Sequence, residues 1–204
     1  MSWTTVEKGG CLLAPDGTRM GDESVGYSAF AKTVSSRAEQ SFVVLDDTIC
    51  RYVEAHEREF AELVEIGGVA TAEDADAVAA IVGAEPEVVA ATLAELAASA
   101  AGDRPDEHGR TDFGFGPLRP PYRVVRSIPA LFHTQGGVVV DDAGAVVDAD
   151  GRSVRGLYAA GGVAAGVSGR DGAAGYSSGN GLLTAIGLGR ITGRHAAAQT
   201  VGQR

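Results

Sequence analysis

Apolar positions recur at helical spacing through much of the first half of the chain. Ile49, Val53, Phe60 and Leu63 place one helix over Thr48–Leu63. A second is expected over Thr71–Val82, with Thr71 as N-cap and Asp74 three residues on, closed by Gly83. Glu85-Pro86-Glu87 opens a third, with proline and acids suited to a helix start, running to about Ser99. Ser28–Arg37 reads as a short helix. The unbroken apolar run Ser41–Leu45 reads as a buried strand ended by Asp46-Asp47. Gly9–Leu13 and Arg19-Met20 flank Pro15-Asp16-Gly17, a turn signal for a hairpin. Ala101–Arg119, rich in glycine and proline, reads as loop.

The pattern changes near Pro121. Tyr122–Ser127 reads as a strand, and Gly137–Asp141 with Ala145–Val147 flank the hairpin turn Asp142-Ala143-Gly144. Leu157–Ala160 is a short apolar strand, expected to be buried and to end in glycines. A glycine-rich loop leads to a helix over Gly181–Gln199, with alanine and leucine expected on its inner face. No internal repeat is visible. The expected division is residues 1–121 and 122–204.

Composition narrows the function class. In 204 residues, 17 Lys and Arg against 27 Asp and Glu give a net charge of −10, which argues against nonspecific nucleic-acid binding. No apolar run approaches the roughly 20 residues of a membrane span, and Met1–Gly10 carries no secretory pattern, so a cytoplasmic protein is expected. Cys11 and Cys50 share no motif and are expected reduced and buried. His56, His108 and His195 have no partners at ligand spacing, so no metal is expected.

Most of the 29 glycines follow Gly136. Gly156-Leu157-Tyr158-Ala159-Ala160-Gly161-Gly162 precedes Ser178-Gly179-Asn180-Gly181-Leu182, which opens the last helix. A strand ending in glycines opposite a helix start presents bare backbone N–H groups to a ligand, or else serves tight packing. The segment Ile128–Val138, containing His133-Thr134-Gln135-Gly136-Gly137, adds to this pattern, as does Gly189-Arg190-Ile191-Thr192-Gly193. Together, across roughly Gly9–Ala198, the chain resembles the fumarate reductase/succinate dehydrogenase flavoprotein superfamily, which includes soluble fumarate reductases and 3-ketosteroid dehydrogenases.

The resemblance implies an α+β cap domain over 1–121, followed by the C-terminal β/α lobe of a Rossmann-like FAD-binding domain over 122–204. No G-x-G-x-x-G appears, so the N-terminal FAD half is expected to be absent, and to come from a partner chain if the protein is active. FAD is the implied cofactor, with Gly161, Gly162, Gly179, Asn180, Gly181, Leu182 and His133 lining it. Gly162 stands where the family usually carries a glutamate, which weakens the implied grip.

The implied catalytic positions depart from a fumarate reductase. The run Gly17-Thr18-Arg19-Met20-Gly21-Asp22-Glu23 matches the cap motif Gly-x-Arg-x-x-x-Glu, but Tyr27 stands where that family carries its proton-delivering arginine. The substrate-clamping arginine is represented only by Arg170, two places early. Tyr176-Ser177-Ser178-Gly179 is similar instead to the Tyr-x-Ser-Gly turn of 3-ketosteroid 4-(5α)-dehydrogenases. The resemblance then implies Tyr27 and Tyr176 as the acid–base and carbonyl-polarising pair, in either assignment, and Ser178 as relay. The expected activity is dehydrogenation, or reduction, of a C–C bond beside a ketone of a steroid-like or other apolar substrate. A fumarate-reductase-like enoate reductase and a non-catalytic fragment or binding protein are the alternatives.

Overall fold

The strand β2 (Ser41–Asp46) is central to a four-stranded antiparallel sheet of order β1-β2-β4-β3, with β1 Cys11–Leu13, β3 Ala70–Ala72 and β4 Tyr122–Ser127. Every residue of β2 but Asp46 is buried, as its unbroken apolar run requires. The structure is a computed structural model describing residues 3–130, 134–169 and 175–201. It divides into two compact units, Met1–Pro129 and Ala130–Arg204. β4 pairs with both β2 and β3, so the first unit extends past the expected boundary at Pro121. The change of pattern near Pro121 therefore falls before the last strand of the first unit, not at its end.

In the first unit, α1 (Thr4–Glu7), α2 (Tyr27–Arg37), α3 (Asp47–His56), α4 (Arg58–Glu65), α5 (Ala75–Val82) and α6 (Pro86–Ala101) accompany the sheet. Phe30, Phe60, Leu13, Leu45, Ile49 and Leu96 form the bulk of its core. The helix expected over Thr48–Leu63 is two, because Glu57 adopts extended backbone at φ −129° and resets the phase that buries Phe60. Asp46 both ends β2 and caps α3, its carboxylate accepting from the Ile49 amide at 2.9 Å. Thr71 is not a cap. Ala70–Ala72 pairs with the edge of β4 opposite β2, and Asp74 caps α5 through the Ala77 amide at 2.8 Å. The Pro15–Gly17 turn forms as expected: Leu13 bridges Arg19, and the Met20 amide donates to Leu12.

The second unit contains the hairpin β5 (Ala145–Val147) and β6 (Ser153–Tyr158). The expected turn at Asp142–Gly144 is present, with Val140 bridging Val146 and the Asp141 carboxylate accepting from the Ala143 and Ala145 amides. The 3-10 turn Gly161–Val163 follows β6. A continuous helix then runs through α7 (Asn180–Leu182), a π segment Leu183–Leu188 and α8 (Gly189–Val201). Two expectations reverse here. Leu157 is 50% exposed, so β6 is not a buried strand in this unit. On the final helix the buried positions are polar, Asn180, Thr184 and Thr192, while Leu182, Leu183 and Ile186 stand at 69%, 64% and 70% exposure. Helical periodicity locates an apolar face but not what covers it. Among the described residues no helix is long and apolar enough to cross a membrane.

Candidate functional site

In the second unit, three backbone segments converge at the start of the last helix. Gly179, at φ +83°, makes the turn into it. Asn180 is buried: its Nδ2 donates to the Ser177 carbonyl at 2.6 Å, and its Oδ1 accepts from Gln135 Nε2 at 3.1 Å. Gln135 in turn accepts from the Gly166 amide at 2.9 Å through its carbonyl. Gly137 lies so close to the Ala164 backbone that a side chain would collide with it, and Val138 pairs with Val163 and Ala165. The 134–138 segment, the 161–166 segment and the helix start are thus one assembly.

The bond from the Leu183 amide to the Gly179 carbonyl, at 3.0 Å, leaves the Gly181 and Leu182 amides as leftover donors of the first turn. Gly162, Gly179 and Gly181 have open space where a Cβ would stand. Val163 and Leu182 flank them at 65% and 69% exposure. Gly161 differs: its φ of +66° is a left-handed backbone that favours glycine, and an added Cβ would meet Ala185 at 3.4 Å, an ordinary contact distance. A bare backbone shelf with leftover donors, the positive helix end and an apolar margin fits a flat aromatic ring carrying partial negative charge.

Tyr176 is half-buried and Ser178 is exposed, both just ahead of the helix. The strands of that loop are tied by the Gly169 amide to the Gly175 carbonyl at 3.0 Å and the Ser177 amide to Ser168 Oγ at 3.2 Å. His133 and Arg170 lie outside the described residues.

Tyr27 belongs to the first unit, where it opens α2 at 45% exposure. The approach to it is tightly determined. Asp22 caps the 3-10 turn Glu23–Val25 through the Ser24 amide at 2.9 Å, and Gly26 turns at φ +85° into the helix. Glu23 is 1% exposed. Its carboxylate accepts from Arg19 Nη2 at 2.7 Å, Arg110 Nη1 at 3.3 Å and the Leu12 amide at 3.1 Å. Asp106 pairs with the other face of Arg19. Burial pushes the Asp106 carboxyl up, but the Arg19 hydrogen bond and the Arg110 and His108 amides outweigh it and hold it below the usual carboxylate range. Burial, then Glu23, push the Cys11 thiol up to about 12, so it is no nucleophile. Arg37 donates to the Arg19 carbonyl at 2.8 Å and to Thr18 Oγ1 at 3.1 Å. The guanidiniums bonded to this segment, Arg19, Arg37 and Arg110, are therefore committed to protein acceptors.

Reasoning from sequence noticed Arg19 and Glu23 but missed Asp106, Arg110 and the Gln135–Asn180 bond. Arg19 and Glu23 announce themselves by i, i+4 spacing, whereas their partners Asp106 and Arg110 each lie 87 positions along the chain.

A family model described as an FAD binding domain matches residues 4–178. The chain belongs to the FAD-binding domain family. FAD is accordingly its cofactor, and within the family the likenesses are to the fumarate reductase and 3-ketosteroid dehydrogenase flavoproteins. It is 28% identical over 193 residues to a fumarate reductase of Schizosaccharomyces pombe, covering 93% of this chain and 36% of that protein. Its fold matches the open conformation of a flavocytochrome c3 fumarate reductase, with a TM-score of 0.72, 22% identity and coverage of 97% of this chain and 34% of the other. It also matches the 3-ketosteroid Δ1-dehydrogenase of Sterolibacterium denitrificans, solved with 1,4-androstadiene-3,17-dione, at a TM-score of 0.70, 20% identity and coverage of 94% and 39%. The chain thus spans little more than a third of the length of these relatives.

Proposed function

We propose that this chain supplies the substrate cap and the C-terminal flavin-facing lobe of an FAD-dependent oxidoreductase that dehydrogenates, or reduces, a C–C bond beside a ketone of a steroid-like or other apolar substrate. The observation that carries the ketone reading is Tyr27: a half-exposed phenol opens α2, and the neighbouring arginines are bonded to the protein. A substrate with two carboxylates needs free cations at both ends. The charge of the first unit supports the same reading. Residues 1–129 hold 11 Lys and Arg against 22 Asp and Glu, a net of −11, whereas residues 130–204 hold 6 against 5. An anionic cap repels dicarboxylates and is indifferent to a neutral ketone.

FAD, when bound, supplies the hydride acceptor. Gly162, Gly179, Asn180, Gly181 and Leu182 would hold its ring on the helix start, with Gly161 supporting the shelf and His133 beside it. Tyr27 moves the proton at the carbon next to the carbonyl. Tyr176 donates a hydrogen bond to the carbonyl oxygen and so steadies the enolate-like charge, and Ser178 relays the proton.

The FAD-binding N-terminal half, with its dinucleotide fingerprint, is proposed to come from a partner or preceding segment. The exposed Leu182, Leu183 and Ile186 support this, because an apolar helix face of that kind fits burial under another element. A second reading, reduction of an unsaturated carboxylate, is favoured by the named activity of the Schizosaccharomyces pombe relative. The assay that separates them offers the flavin-loaded protein a 3-ketosteroid with an electron-accepting dye, and fumarate with reduced dye. Turnover of the ketone alone supports the first reading, and turnover of fumarate alone replaces it with the second.

A further inference from the structure

The buried group of four charges in the first unit carries an inference about how Tyr27 is held. Arg19, Glu23 and Arg110 are at most 3% exposed, and the Asp106 side chain is 1% exposed. Two cations and two anions make the group neutral, but each ion has lost its water. Buried ion groups of this kind are commonly no more stabilising than well-packed apolar side chains. What they add is direction, because each bond fixes one atom relative to another.

Here the bonds lead to a single short segment. Arg110 binds Gly10 O at 2.9 Å, Val6 O at 3.0 Å and Asp112 O at 2.7 Å, and also the Glu23 carboxylate. Asp106 accepts from the Arg110 amide at 3.0 Å and the His108 amide at 3.1 Å through Oδ1, while Oδ2 faces Arg19. Glu23 therefore sits between a loop fixed at 106–112, β1 through Leu12, and the Arg19 side of the Pro15–Gly17 hairpin. Glu23 is also the first residue of the 3-10 turn that Asp22 caps, and only Ser24, Val25 and Gly26 separate it from Tyr27. Gly26, at φ +85° with open space where a Cβ would stand, is the residue about which the turn could move if Glu23 were released.

We propose that Glu23, Arg110 and Asp106 are positioning residues for Tyr27, with the 102–119 loop acting as the clamp that sets where the phenol stands. This rests on the proton-transfer role given to Tyr27 above. It assigns the loop a part in turnover although the side chains that do the work are out of reach of any substrate.

The test uses Asp106→Asn, which keeps shape and the amide contacts, and Arg110→Lys, which keeps charge but loses the fork. In this chain alone, amide hydrogen exchange at Ser24–Ser28 should quicken by about tenfold in both variants, the effect of losing one charge-assisted bond, while α6 keeps its protection. In the flavin-loaded enzyme acting on a 3-ketosteroid, kcat should fall with KM within about twofold, as expected when an interaction made in the transition state is lost. In a Tyr27→Phe background the same substitutions should cause no further loss. Exchange unchanged at 24–28, or kcat losses that multiply with Tyr27→Phe, would overturn the clamp. If Tyr27→Phe leaves turnover intact, the role given to Tyr27 fails, and the exchange result still decides whether the clamp exists. Should Arg110→Lys fail to fold, Asp106→Asn alone carries the comparison.

Discussion

Tyr27 and Asp106 show what single residues contribute and what sequence reveals of them. Tyr27 is proposed from sequence because its distance from Glu23 fits a known motif with one residue changed. Asp106 is not, since its meaning comes from Arg19 across the fold, and no local spacing announces a partner 87 positions away. Replacing Tyr27 with Phe is expected to lower ketone turnover by about 100-fold or more, the usual worth of a positioned acid–base group, with the fold unchanged by circular dichroism. Asp106 also predicts a pH dependence. Its native carboxyl is held below the usual range, so the charged form stabilises the fold above the ordinary carboxylate value, and that stability is lost as pH falls through the lowered native value. Urea unfolding midpoints should therefore drop on acidification below about pH 4, and Asp106→Asn should flatten that drop. An equal acid slope in the variant would assign the effect to other carboxylates.

At the scale of elements, sequence located most helices and strands of the first unit, because caps, glycines and apolar spacing all act locally; it did not show α1 or β3. One error arose where Glu57 breaks α3 from α4, another where a distant strand decided the matter. Thr71 has the chemistry of a cap, but β4 claims its backbone and leaves Asp74 to start α5. Asp74→Ala should cost about 1 kcal/mol in urea unfolding, the value of a side-chain N-cap. In the second unit the expected helix begins one residue late and ends two residues early, and its inward face is the opposite of the one expected. Thr184 and Asn180 turn inward because Thr184 Oγ1 bonds the Asn180 carbonyl at 3.0 Å and Asn180 bonds Gln135, which leaves the leucines outward. Gly161→Ala should lower stability by about 1 kcal/mol, since it forces a left-handed backbone on alanine beside Ala185.

Taken as a whole, the chain has a well-filled first unit and a second unit whose apolar helix face is open. The substitutions Leu182→Ser and Ile186→Ser should therefore reduce binding of a hydrophobic dye by the chain alone and leave its unfolding midpoint unchanged, as expected for side chains at 69% and 70% exposure. A fall in the midpoint would mean that they are core. The family and its cofactor could be read from glycines and their spacing. The ketone reading starts from Tyr27 in the sequence, whereas the bonds that commit Arg19, Arg37 and Arg110 to the protein are visible only in three dimensions. The most direct test of the account is the visible absorption spectrum of this chain purified together with the segment or partner bearing the dinucleotide fingerprint, before and after addition of a 3-ketosteroid. Oxidised flavin bands that bleach on adding the ketone are predicted. A colourless complex, or a flavin that ignores the ketone and is instead reoxidised by fumarate after reduction, would contradict it.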